Sequence, residues 1–425
     1  MTASRHLSQR AQTRFQPIGE LMRLALARPE LISLAAGFVD QASLPVNIAR
    51  QAVDWVLVDR ERGQAALQYG TNSGYAPLRE LILERFSAAE KTASPPATIE
   101  NIILTAGSNQ LLHLLGEVLF DPGDIVLCAA PTYFVFLGMV GAMRARAIGV
   151  ASDRDGMIPT ALEERLRQHE RRDELSRVKA IYVTSYFDNP STATLPAERR
   201  REIVAIAKRF STATPIFVID DVAYRDLRFS GDALPSLRAF DDDGSTVVVA
   251  DTFSKSFSPG VRVGWGILPA SLVEPIAGLK ANIDFGSPNL NQYLMHAVLT
   301  QGLFDPHVVE LRHRYEQKLA AMLEAMDDFL AGIPGVSWRA PTGGLYVWLE
   351  LPPGMDAGPA GALMHHALDE GVLYVPGEYC YPEEGEPRRH DRIRLSFGVQ
   401  SAANLRRGIE ALGRAIRSTL GEAKT

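Results

Sequence analysis

The stretch Ile-Ile-Leu-Thr-Ala-Gly-Ser-Asn-Gln-Leu-Leu-His-Leu-Leu-Gly-Glu-Val-Leu (102–119) changes its hydrophobic period halfway. Ile102–Thr105 is a continuous apolar run too short for a helix. After a turn at Gly107, Leu111, Leu112, Leu114, Leu115, Val118 and Leu119 recur at helical spacing. A strand that turns directly into a helix is half of a βαβ unit. The same alternation continues downstream. Asp124–Ala129, Lys179–Thr184, Ile216–Asp220 and Thr246–Asp251 are further short apolar runs. Pro196 opens a helix whose Ile203, Val204, Ile206, Ala207 and Phe210 share one face. Strands alternating with helices predict an α/β fold with a mainly parallel sheet covered on both faces.

The C-terminal part reads differently. A long amphipathic helix is expected from about His307 to Leu330. Strand-like segments follow near Gly344–Leu349 and Arg392–Ser396, with a helix near Gly361–Leu368 between them. This mixture predicts a second, smaller α+β domain, and 425 residues suffice for about two domains. The first 45 residues are expected to pack there or on a partner subunit. The net charge of −6 argues against nucleic acid as a partner, since phosphate backbones call for a basic surface. Arg5, Arg10 and Arg14 have no apolar segment between them, so no secretory signal is expected. No run of about 18 apolar residues predicts a membrane span. Two distant cysteines, Cys128 and Cys380, fit a reducing cytoplasm.

Ligands of parallel α/β sheets bind beyond the carboxyl ends of the strands. The residues that follow each predicted strand are therefore the candidates: Ser108 and Asn109, then Pro131 and Tyr133, then Asp188 and Asn189, then Asp220, Asp221 and Tyr224, and finally Thr252, Ser254, Lys255 and Arg262. Small residues opening a helix at 106–110 leave free N–H groups at the positive end of its dipole. That is either a phosphate seat or an ordinary serine cap. Lys255 follows a buried strand among hydroxyls and glycines. Partial burial and the nearby Arg262 would depress its pKa and make the amine nucleophilic, unless it is a surface loop lysine. Adjacent strand residues point to opposite faces, so only one of Asp220 and Asp221 can face a given ligand. A buried carboxylate there needs a cation, and no His or Cys stands at metal-ligand spacing, so no metal site is expected. A protonated pyridine nitrogen or a helix cap remain as readings. Arg394, inside the apolar Ile-Arg-Leu-Ser-Phe (393–397), suits a substrate carboxylate or a structural ion pair.

The motifs G-x-x-x-x-G-K-[ST], H-E-x-x-H and G-x-S-x-G do not occur, and the glycines of 260–266 make no dinucleotide fingerprint. Glu163–Arg177 reads as a solvated helix, Asp241–Asp243 as a surface turn, His365-His366 as a surface pair and Glu383–Asp391 as a loop.

Taken in order, these motifs resemble the fold-type-I pyridoxal-5'-phosphate (PLP) aminotransferases of class I/II, within them the 2-aminoadipate and aromatic aminotransferase group and the effector domain of MocR-type regulators. The resemblance runs from about Pro17 to Gly413. It rests on Ser-Lys-x-x-x-Pro-Gly-x-Arg-x-Gly (254–264), Asp-Asp-x-x-Tyr (220–224), Gln-Tyr-Gly (68–70), Ala-Gly-Ser-Asn-Gln (106–110), Pro-Thr-Tyr (131–133), Asn-Pro (189–190), Gly-Gly-Leu-Tyr-Val-Trp (343–348) and Arg-Leu-Ser-Phe (394–397). It implies a large PLP-binding domain over 46–305, a small domain over 306–425, and an N-terminal arm over 1–45 that is partly in the small domain. It implies that Lys255 forms the Schiff base and moves the proton between Cα and the cofactor. Asp221 would pair with the pyridinium nitrogen and Tyr133 stack on the ring. Asn189 and Tyr224 would bond its phenolic oxygen. Ser108, Asn109, Thr252, Ser254 and Arg262 would hold the phosphate, with Tyr69 reaching that of the neighbouring subunit in a homodimer with shared active sites. Arg394, Gly37 and Asn189 would hold the α-carboxylate of an amino acid or 2-oxo acid. The same lysine, aspartate and arginine also serve β-elimination, decarboxylation or oxidation, and a non-catalytic ligand-sensing module shares the framework. Only some 68 residues precede Tyr69, which leaves no expected room for a DNA-binding head.

Departures from the family pattern are Ser185 for a common Pro, Asp188 for a common Gln, Thr192 for a common Gly and Ala36 for a common Gly. Asp188 would bring an acid to the oxygen edge of the cofactor or alter only its loop.

Overall fold

A computed structural model describes residues 17–90, 97–212 and 214–422. Arg5, Arg10 and Arg14, on which the reading of the N-terminus rests, lie outside the described residues. After the helix Pro17–Ala27 comes a two-residue strand, β1 (Ile32–Ser33). Eight strands follow: β2 (Ile102–Thr105), β3 (Ile125–Ala130), β4 (Arg146–Asp153), β5 (Gly156–Met157), β6 (Val178–Thr184), β7 (Phe217–Asp221), β8 (Val247–Thr252) and β9 (Gly264–Ile267). They form one sheet in the order β2-β9-β8-β7-β6-β3-β4-β5. The run β8-β7-β6-β3-β4 is parallel throughout, whereas β9 is antiparallel to both β8 and β2. β2 therefore points the same way as β8. Thr105, Ala130, Thr184, Asp221 and Thr252 all end at one edge of the sheet.

Both faces of this sheet are covered, as the near-continuous apolar runs require. Ile103, Val126, Cys128, Ile219 and Val248 pack on one face with Leu111, Leu112 and Leu115 of the helix Ser108–Leu119. Their strand neighbours Ile102, Leu104, Leu127, Val218 and Val249 face the larger core on the other side. The two-residue alternation of a strand thus places Asp220 and Asp221 in different layers.

The C-terminal part adds β10 (Ser337–Trp338), β11 (Tyr346–Glu350), β12 (Val372–Leu373), β13 (Val375–Pro376) and β14 (Arg392–Ser396). Four of these make an antiparallel sheet ordered β10-β11-β14-β13. β1 pairs in parallel with β12, so the segment around residue 32 is tied to the C-terminal part of the chain. The long helix spans Phe304–Phe329, starting three residues earlier than the periodicity suggested.

Three strands of the eight-stranded sheet escaped the sequence reading. β4 and β9 carry small residues at positions where a strand usually offers β-branched ones. Gly149 in β4 and Gly266 in β9 have close neighbours instead: a Cβ at Gly149 would meet the backbone of Glu386 at 3.1 Å, and one at Gly266 would meet Leu111 at 2.8 Å. β5 is only two residues long. The loop 383–391 docks on β4, with Gly149 N–H donating to Glu384 O at 2.7 Å. Asp241 corrects the surface-turn expectation for 241–243. It is fully buried, and its carboxylate accepts from the N–H groups of Thr246 and Val247 as the chain enters β8. Lys208 sits among the three aspartates as their counter-ion.

Candidate active site

The strand ends open onto a cavity of about 300 Å3, at the small end of the range for ligand sites. Gly37, Ser108, Asn109, Tyr133, Asn189, Asp221, Tyr224, Thr252, Ser254, Lys255, Arg262 and Arg394 all line it. Pro131, Asp188 and Asp220 stay outside it, and of the residues to which the family resemblance gives a role, so does Tyr69. It is 77% exposed and meets Phe285 edge to face at 5.7 Å.

One end of the cavity could hold an anion. Gly107, with φ of 83°, caps the helix Ser108–Leu119 and aims its free first-turn N–H groups into the space. The start of β9 crosses close by, and a Cβ on Gly264 would lie 2.6 Å from the backbone of Gly107 and Ser108. The hydroxyls of Thr252 and Ser254 are 2.8 Å apart. Arg262, itself left-handed with φ of 47°, donates to Ala106 O at 2.7 Å and to Ser254 Oγ at 3.4 Å. Backbone cannot yield as a flexible side chain can. Gly264→Ala is therefore expected to destabilise the protein by about 1–3 kcal/mol and to weaken phosphate binding. Thermal melting and a cofactor titration check this; unchanged values in both would refute the close approach.

The opposite wall holds a buried carboxylate. Asp221 accepts from the Tyr182 hydroxyl at 2.9 Å and from Ala223 N–H at 3.2 Å. Burial raises its pKa to about 6 despite these bonds. Burial also keeps Tyr182 protonated and able to donate. Asp220, on the other face, accepts from Leu237 N–H at 3.0 Å and does not line the cavity.

Lys255 sits in the turn after β8, which the buried rings of Phe253 and Phe257 pin to the core. Its Nζ donates to Gly37 O at 2.8 Å. The residue is partly accessible through the cavity, yet protein surrounds its amine, and that burial lowers its pKa from 10.5. The guanidiniums of Arg394 and Arg262 lower it further, and Arg394 has the larger effect of the two. The sequence reading had named Arg262 alone.

Arg394 is 2% exposed. Its Nη1 donates to Asn189 Oδ1 and its Nη2 to Ala35 O, both at 2.8 Å, while Nε has no partner. Among the described residues no carboxylate pairs with it. A buried cation without a counter-ion is costly unless a ligand supplies one.

Asp188 and Thr192 belong to the loop after β6. The Asp188 carboxylate accepts from Ser191 N–H and Oγ and does not line the cavity. Thr192 takes φ of 64°, the left-handed region where a glycine is unstrained. The cavity also includes residues that sequence reasoning passed over: Thr184, Phe134, Phe38 and Tyr346. Tyr182 supports it from behind Asp221. Tyr182 had a signal in its sequence, because a tyrosine inside the apolar run Lys179–Thr184 needs a partner for its hydroxyl.

Residues 29–412 match the family described as aminotransferase class I and II. The chain is 32% identical over 409 residues to the 2-aminoadipate transaminase of Thermus thermophilus, covering 95% of this chain and 94% of that protein. It is 30% identical over 407 residues to aromatic-amino-acid aminotransferase 1 of Thermococcus litoralis, covering 95% and 92%. Its fold superposes on α-aminoadipate aminotransferase from Thermus thermophilus, solved with N-(5'-phosphopyridoxyl)-L-leucine, with a TM-score of 0.84 at 29% identity over 98% of both chains. A family match across most of the length, joined to a strand-end cavity of this composition, makes the chain a member of the class I and II aminotransferases.

Proposed function

We propose that the chain exchanges the amino group of an α-amino acid for the oxygen of a 2-oxo acid, on pyridoxal 5'-phosphate held in the cavity described above. One observation carries the reading: a buried amine (Lys255), a buried carboxylate (Asp221) and a buried guanidinium lacking a carboxylate partner (Arg394) share one enclosed space. The donor set fits the cofactor. The Ser108–Asn109 helix start, Thr252, Ser254 and Arg262 suit its phosphate, Asp221 its ring nitrogen, Tyr133 its ring face, and Asn189 with Tyr224 its phenolic oxygen. Once bound, the cofactor takes up the amino group and its ring accepts the electron pair released at Cα. The chain's residues do the rest. Arg394 holds the substrate carboxylate with Asn189 and the Gly37 backbone, fixing the Cα–H bond in one direction. Lys255 Nζ, neutral more readily than a free lysine, takes the Cα proton. Asp221 keeps a positive charge on the ring nitrogen.

The exposed Tyr69 and Phe285, with Leu67 and Val58 exposed nearby in sequence, support a second copy covering this face and Tyr69 reaching its neighbour's site. Two free, buried cysteines support a cytoplasmic setting. Among the described residues no helix is long and apolar enough to cross a membrane. We read residues 46–305 as the cofactor-holding domain and 306–425 as the small domain. Their boundary falls within the first turn of the helix Phe304–Phe329.

A spectroscopic experiment tests the reaction. The protein loaded with pyridoxal 5'-phosphate should lose its visible band when a suitable amino acid is added and regain it when a 2-oxo acid follows. Turnover with no need of a 2-oxo acid would replace transamination with a lyase, decarboxylase or oxidase reaction. Arg394→Ala should raise the KM for both amino acid and 2-oxo acid by about 10- to 100-fold, from the loss of charge-assisted hydrogen bonds. An unchanged KM would move the carboxylate site elsewhere.

A further inference from the structure

Tyr346 touches two groups that the proposed function uses, and it comes from the other sheet. It lies on β11 and pairs with Ser396 of β14, while Arg394 pairs with Trp348. Directly paired residues share a face, as do residues two apart along a strand, so Tyr346 and Arg394 are diagonal neighbours on one side of the four-stranded sheet. The Arg394 guanidinium stands 4.2 Å from the centre of the Tyr346 ring. The Tyr346 hydroxyl is 3.0 Å from that of Tyr224, and the two rings meet at 73°. Among the described residues it is the one hydrogen-bond partner recorded for the Tyr224 hydroxyl. A Cβ on Gly37 would lie 2.7 Å from this same oxygen, so the loop whose carbonyl receives Lys255 closes directly over it. Tyr346 is buried, at 2% exposed.

A tyrosine hydroxyl has one hydrogen and two lone pairs. If Tyr224 donated to Tyr346, its one hydrogen would be taken up by that bond and be lost to any ligand. If Tyr346 donates, the Tyr224 oxygen is anchored and its hydrogen stays free to face the ligand. We propose that Tyr346 is a positioning residue that donates to Tyr224 and backs Arg394, so that one buried side chain sets both the hydrogen-bond donor at the cofactor's oxygen edge and the clamp on the substrate carboxylate.

This rests on the reading that Tyr224 faces the cofactor, and the test separates the two. Holoenzyme carrying Tyr346→Phe keeps the ring under Arg394 and loses only the hydroxyl. Its kcat is expected to fall roughly 3- to 10-fold, the loss of one neutral hydrogen bond, with the amino-acid KM changed less than two-fold. The pH at which the visible band of the bound cofactor changes should rise, in the same direction as in Tyr224→Phe. Because Tyr346 acts through Tyr224, the double variant should titrate like Tyr224→Phe alone. Tyr346→Leu removes the ring too and should add a rise in KM. Melting of each cofactor-free variant shows that it folds. A Tyr346→Phe enzyme with the parent's titration and kcat, beside a Tyr224→Phe enzyme that is shifted, would overturn the proposal alone. No shift in either variant would overturn both the proposal and the placement of Tyr224. Additive shifts in the double variant would show that Tyr346 does not act through Tyr224, which also overturns it.

Discussion

Lys255→Ala should lower turnover by roughly 100- to 10,000-fold through the lost proton transfer alone, and should abolish the visible band of the bound cofactor. The expectation follows from where the lysine is held. Phe253 and Phe257 are buried, Phe253 packs on Trp265 at 4.6 Å and on Phe304 at 5.5 Å, and Phe257 N–H donates back to Phe253 O. The turn is thus fixed, and the amine it presents is lowered in pKa by burial and by Arg394 and Arg262. Among the described residues no other lysine lines the cavity. Lys255→Arg is the informative companion. It restores a cation of similar reach, but a guanidinium does not give up its proton and cannot act as base or nucleophile. Both variants should therefore be inactive. Substantial activity in Lys255→Arg would mean that only the charge mattered, and full activity in Lys255→Ala would remove the lysine from the reaction. Borohydride treatment of the loaded parent protein, followed by peptide mapping, should fix the cofactor's mass on the peptide containing Lys255.

What the sequence could and could not reveal divides along physical lines. The alternation of short apolar runs with helical patterns is local, and so are the residues that follow each strand. The shared edge of the sheet then brings them together without further information, which is why Ser108, Tyr133, Asp221 and Lys255 were legible. The choice of Asp221 came from the family pattern; the opposite faces of Asp220 and Asp221 bear on it structurally. Contacts made across registers leave no such trace. Tyr182 reaches Asp221 because it pairs with Ile219, two residues before Asp221 on the same face of β7. Tyr346 reaches the cavity because β11 lies beside β14 in another sheet. β4 and β9 were missed because close packing, not β propensity, chose their glycines. Asp188 looked like a possible cofactor contact because only its place in the chain was visible; a three-residue reach to Ser191 ties it into its own loop.

Asp221→Asn should weaken cofactor binding and slow Cα deprotonation together, each by roughly 100-fold or more, since breaking a buried charge pair from one side costs about 3–5 kcal/mol. Asparagine keeps the size of the side chain and an oxygen for the Tyr182 hydroxyl, so the effect isolates the charge. A pH signature comes with it. In the cofactor-free protein burial lifts Asp221 from 3.8 to about 6, so the folded state holds this proton more tightly than the unfolded chain does. Its contribution to stability is present in full below about pH 4 and is lost as the pH rises through 6, a loss of roughly 3 kcal/mol. Asp188 is raised by burial to about 6 as well and adds to the loss in the same window, but it does not line the cavity. A cationic ring nitrogen beside Asp221 relieves chiefly the Asp221 share. The cofactor should therefore raise the melting temperature more at pH 7.5 than at pH 5, and this pH dependence should shrink in Asp221→Asn, where there is no charge to relieve. Equal stabilisation at both pH values in the parent protein, with unchanged kinetics in the variant, would mean that another acid faces the ring. Asp220 could not take that place without turning β7 over, because it is committed to Leu237 in the opposite layer.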